Sequence, residues 1–364
     1  MIPLPLREYH ASRGALFTEV NGFEVVDQFG EPESEYAALR DSVGIWDLSF
    51  RGRLCLLGGD RVRLLHGQVT NDVNGLGEGR GCYAAFVSSK GRMQADVFVY
   101  NLAQELLLDL EPGMGEVIQK RLEHFVVADD VQWVDVAPHY GLIGLHGPRA
   151  LVALAALELG IKVPELALQF TTIELPGAGE VYLMNQPRLG VPGIELFVPM
   201  AALQPMYERL LEASLNLGGR SVGWQAVERV RIEAGIPRFG VDMDESNLPP
   251  EAGIAPKAIS YDKGCYIGQE ILARLRTYGQ VTRKLRGLKI LGQLAGRRPT
   301  RGDVLSRAER EVGRLTSVTW VPEMGGWLAM GYVRRESSES GVVLELGPVG
   351  SGLTAEVVDL PLKK

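Results

Sequence analysis

Cysteine is scarce in this chain. Its 364 residues hold three, Cys55, Cys82 and Cys265, and no C-x-x-C pair. That spacing excludes a disulfide framework and a zinc knuckle and fits a reducing compartment. Long hydrophobic runs are also missing: none approaches the ~20 residues of a membrane-spanning helix, so no membrane partner is expected. The opening Met1-Ile2-Pro3-Leu4-Pro5-Leu6-Arg7-Glu8 has neither the basic start nor the apolar core of a secretory signal. A cytoplasmic location is expected. The net charge of −7 argues against direct nucleic-acid binding. His10, His66, His124, His139 and His146 show no spacing suited to a metal, so none is expected. No G-x-x-x-x-G-K-[ST], no G-x-G-x-x-G after a strand and no G-x-S-x-G elbow occurs, which sets aside P-loop, dinucleotide-binding and α/β-hydrolase chemistry.

What remains is an ordinary globular composition, 46% hydrophobic and 23% charged, in a chain long enough for two or three units. Ser34 is placed to cap a helix through Tyr36, Ala37, Leu39 and Arg40. A strand is predicted at Arg53–Leu57 and a helix from about Asp60. Strands at Gly81–Ser88 and Gln94–Asn101 should form a hairpin, followed by a strand at Leu106–Leu110 and a helix at Gly115–Phe125. A second, similar unit begins near Tyr140. Its strands are predicted at Gly141–Leu145, Phe170–Glu174, Gly179–Met184 and Ile194–Val198, its helices at Arg149–Leu159, Met200–Leu215 and Gly223–Gly235. From about Gly279 short strands separated by glycine predict a small barrel or sandwich. The order of elements reads as α+β.

The densest cluster of chemistry is Lys263-Gly264-Cys265-Tyr266-Ile267-Gly268-Gln269-Glu270, ahead of the helix formers Ile271, Leu272, Ala273 and Leu275. A thiol between a lysine and a helix start is a candidate thiolate, since a nearby cation and the helix dipole both favour ionisation. A small buried hydrophobe is the alternative. From Arg274 to Arg314, twelve lysines and arginines face only Asp303, Glu309 and Glu311. Solvated strand faces explain this, or a basic rim for an anionic partner such as a polyglutamate tail or RNA.

The octapeptide resembles the K-G-C-[FYT]-x-G-Q-E signature of the YgfZ family of folate-binding proteins, within the superfamily of the glycine-cleavage T-protein. His66-Gly67-Gln68-Val69-Thr70-Asn71-Asp72-Val73 is similar to that family's Q-G-Q-x-T-N-D-V. Gly193-Ile194-Glu195, Arg231-Ile232-Glu233-Ala234-Gly235-Ile236-Pro237 and Gly313-Arg314-Leu315-Thr316-Ser317 resemble its G-Y-E, L-R-L-E-A-G-x-P and G-x-x-T-S segments. The resemblance implies two α+β sandwich-like units and a C-terminal β-barrel around a central folate-binding channel. It divides the chain into a discontinuous first domain (1–50 and 139–240), a second (51–138), a linker carrying the cysteine motif (241–280) and the barrel (281–364).

It also implies tetrahydrofolate or a one-carbon derivative as cofactor, and roles for particular residues. Glu195 would accept from the pterin edge and Arg231 would serve the glutamyl tail or organise the site. A strand carboxylate, and a salt bridge to Glu228 or Glu233, are the local alternatives. Tyr83 and Phe86 offer aromatic surface or simple core packing. Gly91-Arg92-Met93-Gln94-Ala95-Asp96 stands where the T-protein has G-G-x-x-D-D, so Asp96 is the retained carboxylate at the one-carbon end while Ala95 replaces another. Cys265, assisted by Lys263, would be the essential thiol. The resemblance links that motif to maintenance of iron–sulfur client proteins, including tRNA-modifying enzymes. The leading expectation is such a factor; the alternative is a folate-dependent aminomethyl- or methyltransferase.

Overall fold

Residues 95–100 alternate in character, with Ala95, Val97 and Val99 on one side and Asp96, Phe98 and Tyr100 on the other. In a strand that alternation assigns the two sets to opposite faces. The computed structural model, covering residues 1–160, 162–292, 297–347 and 352–362, shows what each face meets. The chain divides into two units: residues 1–86, 95–230 and 262–266 form the first, and 87–94, 231–261 and the chain from 267 onward form the second.

The first unit begins with α1 (Arg7–Ser12), the paired β1 (Leu16–Val20) and β2 (Phe23–Gln28), α2 (Pro32–Asp41), β3 (Gly44–Asp47) and β4 (Gly52–Leu57). Pro32, not Ser34, starts α2, because its fixed φ and missing N–H suit a first turn. Then come α3 (Arg61–Gln68), β5 (Gly81–Val87), β6 (Met93–Asn101), β7 (Leu106–Leu110), α4 (Met114–Glu123) and β8 (Gln132–Asp135). They are followed by β9 (Tyr140–His146), α5 (Ala150–Ala155), β10 (Phe170–Leu175), β11 (Gly179–Asn185), β12 (Gly193–Pro199), α6 (Leu203–Leu215), β13 (Arg220–Ser221) and α7 (Trp224–Glu233). α5 stops short of the predicted Leu159.

Besides the β1–β2 pair, two larger sheets result, ordered β5-β6-β7-β4-β8 and β10-β11-β12-β9-β3-β13. β3 lies between β9 and β13, so the six-stranded sheet joins the first fifty residues to strands beyond residue 139. Ala95, Val97 and Val99 pack with Leu108, Ile118 and Leu122 beneath α4. On the opposite face Tyr100, Leu107 and Cys55 meet Trp46, Leu142 and Phe197 of the second sheet. That sheet's far side, with Ile143, Leu145 and Leu196, is covered by Ala153, Leu203 and Leu210 of α5 and α6. The stack is therefore helix, sheet, sheet, helix. Each buried aliphatic side chain contributes about 1.5–3 kcal/mol, so any charge on the sheet-to-sheet seam needs a partner.

The second unit contains α8 (Ala255–Ala258), α9 (Gln269–Tyr278) and β14 (Arg283–Leu291), β15 (Val304–Arg307), β16 (Arg310–Val321), β17 (Gly326–Arg334), β18 (Val343–Leu346) and β19 (Thr354–Val358). The strands close as a barrel in the order β14-β17-β16-β15-β18-β19 around Leu288, Leu305, Ala329, Val333 and Val357. A Cβ at Gly313 would stand 2.1 Å from the Tyr332 carbonyl oxygen, so β16 and β17 pair this closely only with glycine there.

Arg231 is 4% exposed in this unit and does not reach out to solvent. Its Nη1 donates to Asp242 Oδ2 (2.5 Å) and its Nη2 to Ser317 Oγ (2.8 Å). Asp242 Oδ1 in turn accepts from Thr316 (2.5 Å) and Ser317 (2.6 Å), so the R-x-E-A-G and G-x-x-T-S segments meet on one carboxylate. A folate-tail contact by Arg231 gains no support from this geometry; within the second unit, which begins at residue 231 of α7, Arg231 is tied to the barrel strand β16. Arg231→Met should cost roughly 3–5 kcal/mol by leaving Asp242 buried and unpaired. Denaturant unfolding of that variant, and of Arg231→Met with Asp242→Asn, checks this: the double variant should regain at least half of the loss.

Candidate active site

The seam between the two sheets holds a row of charges. Asp109 interrupts the leucines of β7 and pairs in register with Phe98 of β6 and Arg53 of β4. Asp96, Phe98 and Tyr100 share the seam-facing side of β6 with it. Arg51, just before β4, donates from Nε to Asp109 Oδ1 (2.6 Å) and from Nη1 to Glu111 Oε1 (2.6 Å). Arg188, from the loop between β11 and β12, donates to Asp109 Oδ2 (2.5 Å) and grips Glu195 with two bonds of 2.7 Å. One guanidinium thus joins a carboxylate of each sheet. Burial opposes its charge, but Asp109 and Glu195 outweigh that and hold its pKa well above the ordinary arginine value.

Glu195 is 1% exposed and both its oxygens accept from Arg188. The expected bidentate pterin contact therefore meets a carboxylate already occupied. Burial raises the Glu195 pKa while Arg188 opposes the rise. His146 lies 3.6 Å from Glu195 with both ring nitrogens unpartnered, and burial lowers its pKa to about 3, so the ring is neutral. It fits only because Gly144 and Gly193 flank it: a Cβ at either would come within 2.6 Å of a ring nitrogen.

Asp96 stands at the other end of the row. Its Oδ2 accepts from the Tyr83 hydroxyl (2.8 Å), so two residues singled out from the sequence do meet. Its Oδ1 is cut off from solvent and has no hydrogen-bond partner among the described residues. Burial, then the Glu111 carboxylate, push its pKa up to about 6, against the Tyr83 hydrogen bond and Arg51. The rings of Tyr83 and Phe98 lie 4.9 Å apart at 36°, and the Arg188 guanidinium sits 4.8 Å from the Phe98 centroid. Phe86 faces the opposite way, into the core under α4. The arrangement can bind a planar group and hold or release a proton near neutrality.

Lys263 and Cys265 belong to a loop on the same unit. The ammonium of Lys263 donates to the carbonyls of His66 (2.5 Å), Val69 (2.7 Å) and Asn71 (3.0 Å), using all three of its protons. Burial lowers its pKa to about 8. Lys263 is thus a clamp on the H-G-Q-V-T-N-D-V segment, not a cation left free for the thiol. Asn71 passes the connection on, donating from Nδ2 to the Tyr83 carbonyl (2.8 Å). Cys265 is exposed, while Cys55 is buried and Cys82 is a half-buried thiol whose pKa burial pushes up to about 12. α9 begins only at Gln269, so Cys265 lies outside its first turn. No group of three or more possible metal ligands occurs among the described residues.

Sequence reasoning missed Arg51, Asp109, Glu111 and Arg188. A lone aspartate within L-L-L-D-L was the available signal for Asp109; Arg188, in a loop, offered none. Lys263→Met should destabilise the protein by roughly 1–3 kcal/mol through three orphaned carbonyls. Faster labelling of Cys265 by a thiol reagent should accompany the loss; an unchanged rate and stability would contradict the clamp.

Known proteins agree with this architecture. Residues 6–263 match the GCVT N-terminal domain, and residues 283–364 the glycine cleavage T-protein C-terminal barrel domain. An aminomethyltransferase of Rubrobacter xylanophilus is 30% identical over 362 residues, covering 98% of this chain and 93% of that protein. One from Saccharopolyspora erythraea is 29% identical over 360 residues, covering 98% and 96%. The crystal structure of glycine cleavage system aminomethyltransferase T from Bartonella henselae shares the fold, with a TM-score of 0.87 over 99% of this chain and 97% of that one at 24% identity. The chain belongs to the glycine-cleavage T-protein family.

Proposed function

We propose that this protein is a tetrahydrofolate-dependent one-carbon transferase of the aminomethyltransferase type, with Asp96 as its proton-handling group. The observation that carries the reading is the Asp96 carboxyl: buried at Oδ1, unpartnered there, and with its pKa raised to about 6. A group with that pKa exchanges a proton at modest cost near neutral pH. The orphaned oxygen and the half-buried rings of Tyr83 and Phe98 fit a planar heterocycle carrying N–H groups. When bound, tetrahydrofolate supplies the nitrogen nucleophile that accepts the one-carbon unit. Asp96, in its carboxylate form, holds or takes a proton at Oδ1 while Tyr83 fixes Oδ2. Glu195 acts through Arg188, whose guanidinium it orients beside Phe98. The relatives named aminomethyltransferase support the same reading.

A second reading rests on Cys265, the one exposed cysteine of three, in its YgfZ-like motif. Here the protein supports iron–sulfur client enzymes, including tRNA-modifying ones, through a thiol held on the Lys263-anchored loop. Four thiolates are the usual complement of a cluster, so a lone cysteine would act with a partner protein.

Two variants separate the readings. Asp96→Asn should slow tetrahydrofolate-dependent ammonia release from an aminomethylated carrier by roughly 10²–10⁴-fold and remove a rising kcat limb near pH 6. Cys265→Ser should leave that rate intact. Absence of any such activity in the native protein, with Cys265→Ser failing to restore iron–sulfur enzyme activity in cells, would favour the second reading.

The same substitution has a stability consequence of defined sign. An aspartate whose folded pKa lies above its unfolded value adds stability at low pH that is lost as pH rises through about 6. Asp96→Asn should therefore be more stable than the native protein at pH 7.5, by about 1–3 kcal/mol, with the gain vanishing below pH 4. Denaturant melts at both pH values read this directly.

A further inference from the structure

The second unit has a cavity of its own, about 1000 Å³, with no part in the seam chemistry. Five arginines reach its wall: Arg283, Arg301, Arg314, Arg334 and Arg335. They come from the stretch whose excess of basic residues the sequence displays, continued onto the end of β17. Carboxylates are present too, but most are committed elsewhere. Asp242 is closed into the Arg231, Thr316 and Ser317 network. Glu311 is paired with Arg314 by two bonds of 2.8 and 3.1 Å. Asp244 accepts the backbone N–H of Ser246 (2.8 Å), and Arg283 reaches Glu251 at 3.4 Å.

Arg301, Arg334 and Arg335 are different. All three are exposed, and among the described residues none has a carboxylate at ion-pair distance. Arg301 touches only the carbonyls of Gly240 and Val241, at 3.4 and 3.1 Å. Glu336 and Asp244, also in the wall, are the remaining acids against these three charges. At the floor, Tyr332 is mostly buried, with Arg283 4.9 Å from its ring centroid and its hydroxyl unpartnered. A concave wall with surplus guanidinium charge focuses potential toward an anion, and each planar fork suits a carboxylate or phosphate group.

We propose that this cavity is a binding site for a small, multiply charged anion, a chain of carboxylates or of phosphates that spans Arg301, Arg334 and Arg335. Its place in the second unit makes the proposal independent of the Asp96 reading. Two groups of one ligand can bridge two forks at once, whereas chloride or a single carboxylate meets one and gains little against water.

The test is calorimetric titration of the full-length protein at low salt with tri-γ-glutamate and, separately, inorganic tripolyphosphate. At least one probe should bind with unit stoichiometry, and affinity should fall as salt screens the site. Arg301→Gln/Arg334→Gln/Arg335→Gln, whose exposed positions should leave the melting temperature unchanged, should weaken that binding by at least roughly tenfold. The tighter probe identifies carboxylate or phosphate as the natural chemistry. Failure of both probes to bind the native protein, or equal binding by the triple variant, overturns the proposal.

Discussion

One guanidinium holds the seam of this protein together. Arg188 bonds Asp109 of the five-stranded sheet and Glu195 of the six-stranded sheet, between faces otherwise lined by apolar side chains. Burying these charges would be costly singly; together each desolvated group faces an opposite charge at hydrogen-bond distance. Arg51 extends the row to Glu111, and Glu111 sets the electrostatic surroundings of Asp96. The ion pairs fix how the sheets meet; burial, with the Glu111 charge added to it, makes the Asp96 carboxyl hard to ionise against the opposing pull of Tyr83 and Arg51.

Burial and charge together set Asp96, the proton-handling group proposed above, apart from its neighbours. Asp109, with two arginines on it, has its pKa lowered despite complete burial. Glu195 is occupied at both oxygens. Of these three, Asp96 combines burial, a nearby like charge and an oxygen unpartnered among the described residues, the combination that raises a carboxyl toward neutrality. Tyr83 supports it, and Lys263 supports Tyr83 at one remove through Asn71. Two motifs remote in sequence therefore converge on one strand. The T-protein family likeness accounts for the fold.

The barrel was legible because short apolar strands between glycines have few other readings, and β14–β19 all lie beyond Gly279, where the sequence places them. β6 and β7 were legible from alternation and from a leucine run. β8 escaped because Q-W-V-D has neither, and the opening β1–β2 pair because its residues mix helical and extended preferences. Tyr83 and Asp96, singled out from local pattern and resemblance, are hydrogen-bonded to each other. Arg188 could not, since its meaning lies in Asp109, 79 residues earlier in the chain. Glu195 and Lys263, expected to face a pterin and a thiol, are engaged by partners within the chain. Their partners, Arg188 and three backbone carbonyls, are invisible to any local reading.

The central claim is that Asp96 titrates at the place where tetrahydrofolate binds. It is tested most directly by calorimetric titration of tetrahydrofolate into the protein at pH 6, in buffers of different ionisation enthalpy. The account predicts binding accompanied by a net exchange of protons that disappears in Asp96→Asn. Binding with identical proton exchange in both proteins, or no binding at all, would contradict it.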